Sequence, residues 1–141
     1  MRASPTPPTP NSPNLFVRPL SCSLVGKKMQ VSVEPNSLAQ AAYGRTEAEE
    51  VYRCDFGLDP ERHALMEEGG LCISGTDATG EARILEFPEH PFFVATLFVP
   101  QLNSSADEPH PLVAAFLEAA IERAGRPAGT EMARGRRAAQ P

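Results

Sequence analysis

Apolar residues recur along this chain with two different periods. In "LSCSLVG" and "MQVSVEP" they alternate with polar ones, which predicts two short half-buried strands, with Lys27 and Lys28 in the turn between them. "EEVYRCDFGL" predicts another strand, and "LCISGTDATGEARILEF" a hairpin turning at "DATG". "FFVATLFV" is almost continuously apolar and stops at Pro100, the pattern of a central strand covered on both faces. Three segments carry the longer helical period. "NSLAQAAYG" offers Asn36 or Ser37 as N-cap and Gly44 as its stop. "DPERHALMEEGG" places Asp59 as cap, Pro60 in the first turn, and Gly69 and Gly70 at the end. In "PHPLVAAFLEAAIERAG", Leu112, Phe116, Ala119, Ala120 and Arg123 share one face and Gly125 ends the helix.

Strand and helix signals alternate, so the expected class is α/β: a mixed sheet of about six strands with a closing helix over about residues 109 to 124 packed on it. The length of 141 residues allows one domain. Residues 1–14, "MRASPTPPTPNSPN", hold five prolines and nothing to bury, and are expected to be disordered or polyproline-like. Residues 15–125 form the folded part, and residues 126–141 a disordered basic tail with Arg134, Arg136 and Arg137. The basic start permits an organelle-targeting reading, although its proline density suits a helical presequence poorly, and it has no apolar core of a secretory signal.

The formal net charge of -5 argues against a nucleic-acid or anionic-membrane binder, because phosphate contact needs clustered Lys and Arg. No apolar run approaches the roughly 18 residues of a membrane span. The cysteines Cys22, Cys54 and Cys72 are odd in number and include no C-x-x-C pair. That excludes a disulfide framework and a structural zinc site and places the chain in a reducing compartment, the cytosol.

Four segments, in order, resemble the C-terminal half of a class I glutamine amidotransferase domain of the CTP-synthase-like type, over about Pro19 to Ala124. "VYRCDFGL" stands where that family has a histidine- and arginine-rich strand leading to Arg-Tyr-Glu-Val-Asn. "MEEGGLCISGT" is close to its Leu-Glu-Glu-Ala-Gly-Leu and Ser-Gly-Thr. "ILEFPEHPFFVATLFVPQ" is similar to its run ending in Gln-Phe-His-Pro-Glu, and "PHPLVAAFLEAA" to its closing helix. The match is nearest to short CTP-synthase-like homologues. The resemblance implies a flavodoxin-like, doubly wound sheet, and a reaction in which glutamine is hydrolysed to supply ammonia for pyrimidine nucleotide synthesis. It implies L-glutamine as the small molecule and no cofactor.

It also implies a triad: a Cys on a Gly-x-Cys-x-Gly turn attacks the amide, a His moves protons, and a Glu orients the His. By this alignment Val99 takes the His position and Gln101 the Glu position, so neither proton transfer nor an orienting charge is supplied, and the half carrying the nucleophile has no counterpart here. Cys22, Cys54 and Cys72 lack the flanking glycines of a nucleophile elbow and read as buried, inert thiols. His90 and His110 precede prolines and read as turn-shaping, while His63 lies on an exposed Glu-rich helix. Arg53 is the substrate-binding candidate, since a guanidinium matches a carboxylate by two parallel contacts; pairing with Asp55 is the other use for it. Asp55, Asp59 and Asp77 read as a strand edge, a helix cap and a turn, not as metal ligands.

Three readings follow: a truncated or degenerate amidotransferase without glutaminase activity, a binding module or pseudo-enzyme docking on CTP synthase or a similar partner, and an enzyme of different chemistry on the same scaffold. Half of a doubly wound domain bares a sheet edge and apolar faces, so self-association or docking to a missing half-domain is expected.

Overall fold

The computed structural model describes residues 12–125; the expectations for residues 1–11 and 126–141 lie outside the described residues. The alternation in "KMQVSV" makes β2 (Lys28–Val33), with Val31 and Val33 buried and Gln30 and Ser32 exposed. It pairs on one side with β3 (Glu47–Val51), placing Val31 opposite Ala48 and Met29 opposite Glu50. On its other side stands β5 (Cys72–Thr76), followed by β6 (Ala82–Glu86) and β7 (Val94–Thr96), for an order β3-β2-β5-β6-β7. A two-stranded ribbon, β1 (Val17–Pro19) with β4 (Phe56–Leu58), lies apart, held by Arg18 Nε on Asp59 Oδ2 at 2.8 Å. The α/β class expected from the alternation is what the structure shows.

Some details differ from the expectation. The main sheet has five strands rather than about six, and the ladders between its described strands run antiparallel. Parallel neighbours need a crossover of about a dozen residues or more. Here residues 77–81 alone join β5 to β6, and residues 87–93 join β6 to β7. "LSCSLVG" is a loop, not a strand, and it divides "EEVYRCDFGL" into β3 and β4. The loop takes the acceptors a continuous strand would have used: Leu20 N–H donates to Asp55 O (2.7 Å), Leu24 N–H to Cys54 O (3.2 Å) and Gly26 N–H to Tyr52 O (2.8 Å). "FFVATLFV" yields only β7, and that strand lies at a sheet edge instead of the centre.

The helices begin where their caps dictate. α1 (Leu38–Tyr43) is capped by Ser37, whose Oγ accepts from Gln40 N–H at 2.9 Å, and ends at Gly44 in the left-handed region, φ 68°. Asp59 caps a 3₁₀ turn at Pro60–Arg62 that leads into α2 (His63–Glu68). α3 (Pro111–Ala124) starts on His110. The core contains Leu24, Val31, Val33, Ala39, Tyr52, Ile84, Phe98 and Leu112, so the loop, the sheet, α1 and α3 all contribute to it. Gly75 allows β5 to approach β6: a Cβ there would stand 2.6 Å from Ile84 Cγ1, and the ladder shifts register at this point. Of the stripe expected on α3, Leu112 is buried but Phe116 is 54% exposed. No helix among the described residues is long and apolar enough to cross a membrane.

The β5–β6 turn closes on a buried ion pair. Asp77 Oδ2 accepts from Arg83 Nε (3.0 Å) and Nη2 (2.8 Å), while Oδ1 accepts from the N–H and hydroxyl of Thr79 and from Glu81 N–H. The Arg83 guanidinium also lies 5.5 Å from the centre of the Tyr52 ring. Burial opposes ionisation of Asp77, but hydrogen bonds from the Thr79 hydroxyl, Arg83 and the two backbone amides outweigh it and hold the carboxyl below its usual range. A carboxylate with its folded pKa depressed adds stability that is present above its unfolded pKa and is lost as pH falls through the folded value. Denaturation midpoints measured from pH 7 downward should therefore fall below about pH 4. The fall should be shallower in Asp77→Asn, which should already be less stable at pH 7. Equal slopes in the two proteins would show that Asp77 is not the linked group.

Candidate functional site

The segment Val99–Asn103 is drawn to the end of β3. Val99 N–H donates to Val51 O at 3.2 Å, and Phe98 packs edge-on against Tyr52 with ring centroids 5.8 Å apart. Pro100 then starts a 3₁₀ turn, Pro100–Asn103, with Val99 at its cap position and no side-chain bond there. Val99 is half-buried and Gln101 exposed; the Gln101 carbonyl accepts from Ser104 N–H at 3.3 Å.

Arg53 lies two residues past Val51, exposed and without an ion pair among the described residues. The pairing with Asp55 considered from the sequence is not formed. Asp55 instead contributes its carbonyl to the Leu20 amide. The backbone thus brings the Val99 segment to the strand end that carries Arg53, and leaves the guanidinium in solvent.

Beneath this surface is a polar cluster that the sequence reading did not identify. Glu50 points inward from β3 and is 2% exposed. Its Oε1 accepts from Tyr43 Oη at 2.5 Å and from His110 Nε2 at 2.7 Å, and its Oε2 from Asn103 Nδ2 at 3.1 Å. The tautomer of His110 follows from its other contact: Nδ1 accepts from Leu112 N–H at 3.1 Å, so the ring proton is on Nε2 and is donated to Glu50. Burial first, then the bond to Glu50, pushes the Tyr43 phenol well above its usual range and keeps it a donor.

Both Glu50 oxygens, the Tyr43 hydroxyl and both ring nitrogens of His110 are engaged inside the fold. Protonating His110 at Nδ1 would cost the α3 cap, so the Glu50–His110 pair is poorly suited to passing a proton to a substrate. Glu86 acts similarly: buried on β6, its oxygens accept from Leu38 N–H (3.0 Å) and Ala39 N–H (2.6 Å) at the start of α1. The signal for Glu50 was present in the sequence, because Ala48, Glu50 and Tyr52 occupy alternate inward positions. Its three partners are remote or helical, and nothing in the sequence marked them as converging.

The cysteines depart from expectation. Cys22 and Cys72 are exposed and Cys54 is half-buried, all as free thiols, where buried thiols were expected. Cys22 rides on the loop that replaced the expected strand, and Cys72 begins β5 on its outer side. Cys54 Sγ donates to Phe56 O at 2.9 Å. His90 Nδ1 is in contact with the backbone of Phe92, inside the turn before β7. Among the described residues no three His, Cys, Asp or Glu side chains converge as a metal site.

The chain matches no family model. It is 37% identical over 92 residues to the CTP synthase of Sphingopyxis alaskensis, a match covering 64% of this chain and 17% of that protein. It is 41% identical over 92 residues to the CTP synthase of Acidobacterium capsulatum, again over 64% of this chain and 17% of the relative. The chain therefore spans about a sixth of the length of these curated relatives. Among solved structures it resembles the CTPS glutaminase domain of Trypanosoma brucei with bound acivicin, with a TM-score of 0.70, 24% identity, and coverage of 76% of this chain and 46% of that one. The resemblance read from the four motifs is thus borne out in sequence, and the fold is that of the CTPS glutaminase domain.

Glu50→Ala should destabilise the chain by about 3 kcal/mol or more, because it strands the buried His110 donor and removes the acceptor of Tyr43 and Asn103 as well. Glu50→Gln should cost less, since one acceptor oxygen remains. Urea unfolding of the two variants would check this order. A loss below about 0.5 kcal/mol for Glu50→Ala would show that the cluster is not a structural node.

Proposed function

We propose that this chain is a glutamine amidotransferase-like half-domain of the CTP synthase type that does not itself hydrolyse glutamine, retaining at most a weak site for the amino acid at Arg53. One observation carries the reading. The segment resembling the family's His-Pro-Glu run arrives against β3 through the Val99–Val51 bond, but presents a valine and an exposed glutamine. Deamidation by the family's route needs a thiolate, a proton shuttle and an orienter, each within hydrogen-bond reach of the next. Val99 has no proton-transfer group, Gln101 has no charge, and the exposed thiols carry no elbow. Arg53, solvent-facing and without an ion pair among the described residues, can meet a carboxylate. Three free thiols fit a reducing compartment, which we take to be the cytosol.

Purified protein should release ammonia from glutamine no faster than buffer. Val99→His with Gln101→Glu should not rescue it, since no nucleophile is placed to use the restored pair. Turnover abolished by Cys22→Ala, Cys54→Ala or Cys72→Ala would overturn the reading and identify the nucleophile. Calorimetry with L-glutamine should give weak binding that Arg53→Ala lowers by about tenfold, the value of one charge-assisted contact. Binding unchanged in Arg53→Ala would remove that residue from the site.

A further inference from the structure

Two features that a finished α/β domain would cover are both open in this chain, and they adjoin. The first is the outer edge of β7. Phe87 N–H donates to Phe93 O and Leu97 N–H to Arg83 O, so the odd-numbered backbone groups of this strand face β6. By the alternation of an antiparallel ladder, the amides and carbonyls of Val94 and Thr96 point away from the sheet. A run as apolar as "FFVATLFV" is suited to a strand with neighbours on both sides, yet no described strand pairs with this edge.

The second is a face of α3. Phe116 and Leu117 are each 54% exposed and Ile121 71%, although Phe116 belongs to the stripe whose spacing expects burial. The Phe116 ring packs edge-on against Phe92, two residues before β7, with centroids 5.9 Å apart, so helix face and strand edge form one surface.

Residues 1–11 and 126–141 contain no Val, Ile, Leu, Phe or Tyr. The chain also spans only 46% of the glutaminase domain whose fold it shares, so over half of that fold has no counterpart in these residues. We propose that the β7 edge and the Phe92–Phe116–Ile121 face dock the complementary half of the same α/β fold, supplied by another polypeptide segment that adds a strand beside β7 and lays apolar side chains on α3. This rests on the half-domain reading above and names the partner it requires.

The test co-expresses the full chain with the part of the Trypanosoma brucei glutaminase domain that it does not span. A one-to-one complex is expected by sedimentation. Hydrogen exchange at the Val94 and Thr96 amides should be fast in the free chain and slower by about tenfold or more in the complex. Ile121→Lys and Thr96→Pro should each weaken the complex by about tenfold or more, the first by placing a charge in the apolar face, the second by removing an outward amide. Circular dichroism of each free variant should match the parent. No complex, a complex indifferent to both substitutions, or amides already protected in the free monomer would overturn the proposal. So would a homodimer that protects the same amides, since the occupant would then be a second copy. Glutamine turnover by the free chain would overturn the functional reading while leaving the exchange result to judge the docking surface separately.

Discussion

The fold depends on one buried carboxylate. Glu50 stands on the inner face of β3, where an apolar residue would be the simpler choice, and gathers donors from α1 through Tyr43, from the turn after β7 through Asn103, and from the start of α3 through His110. A buried charge is tolerated only when its oxygens are satisfied, and here three parts of the chain satisfy them. The same contacts fix where those parts sit. The entry of α3 is set by His110, which donates to Glu50 with one ring nitrogen and accepts from the Leu112 amide with the other. Glu86 repeats the device on another strand of the same sheet, holding the start of α1 to β6. The apolar core that includes Val31, Ile84, Phe98 and Leu112 fills the space these two carboxylates define.

What could be read from the sequence, and what could not, divides along the range of the interactions. Ser37, Gly44 and Asp59 act as their chemistry predicts, because capping is a contact between near neighbours. The β5–β6 hairpin forms as expected for the same reason. Errors appear where a distant segment intervenes. "LSCSLVG" has the alternation of a strand, but its amides are spent on Tyr52, Cys54 and Asp55, and this also cuts the next expected strand in two. Alternation reports which side chains face inward and does not report which backbone will be the neighbour. The polar cluster was hidden likewise: His110 was legible as a residue shaping the turn into α3, but its bond to Glu50 spans sixty positions of sequence.

Apolar pattern and observed burial disagree most at α3, where Phe116, Leu117 and Ile121 are open to water. Elsewhere the pattern is obeyed closely: β6 is buried along nearly its whole length, and Gly75 is small so that Ile84 can fill the space above it. One side of the chain is thus packed to ångström tolerances while the outer face of α3 keeps large apolar side chains in water.

The span of the Glu50 contacts also orders events during synthesis. Its acceptor oxygens wait for donors at residues 103 and 110, so a growing chain that has already made β2, β3 and the β5–β6 hairpin still carries a carboxylate that must remain hydrated. The inner face of the sheet cannot close while that charge needs water. Closure must follow translation of residues 103–124, so the nascent sheet stays open, and exposed to chaperones, until α3 arrives to seal it.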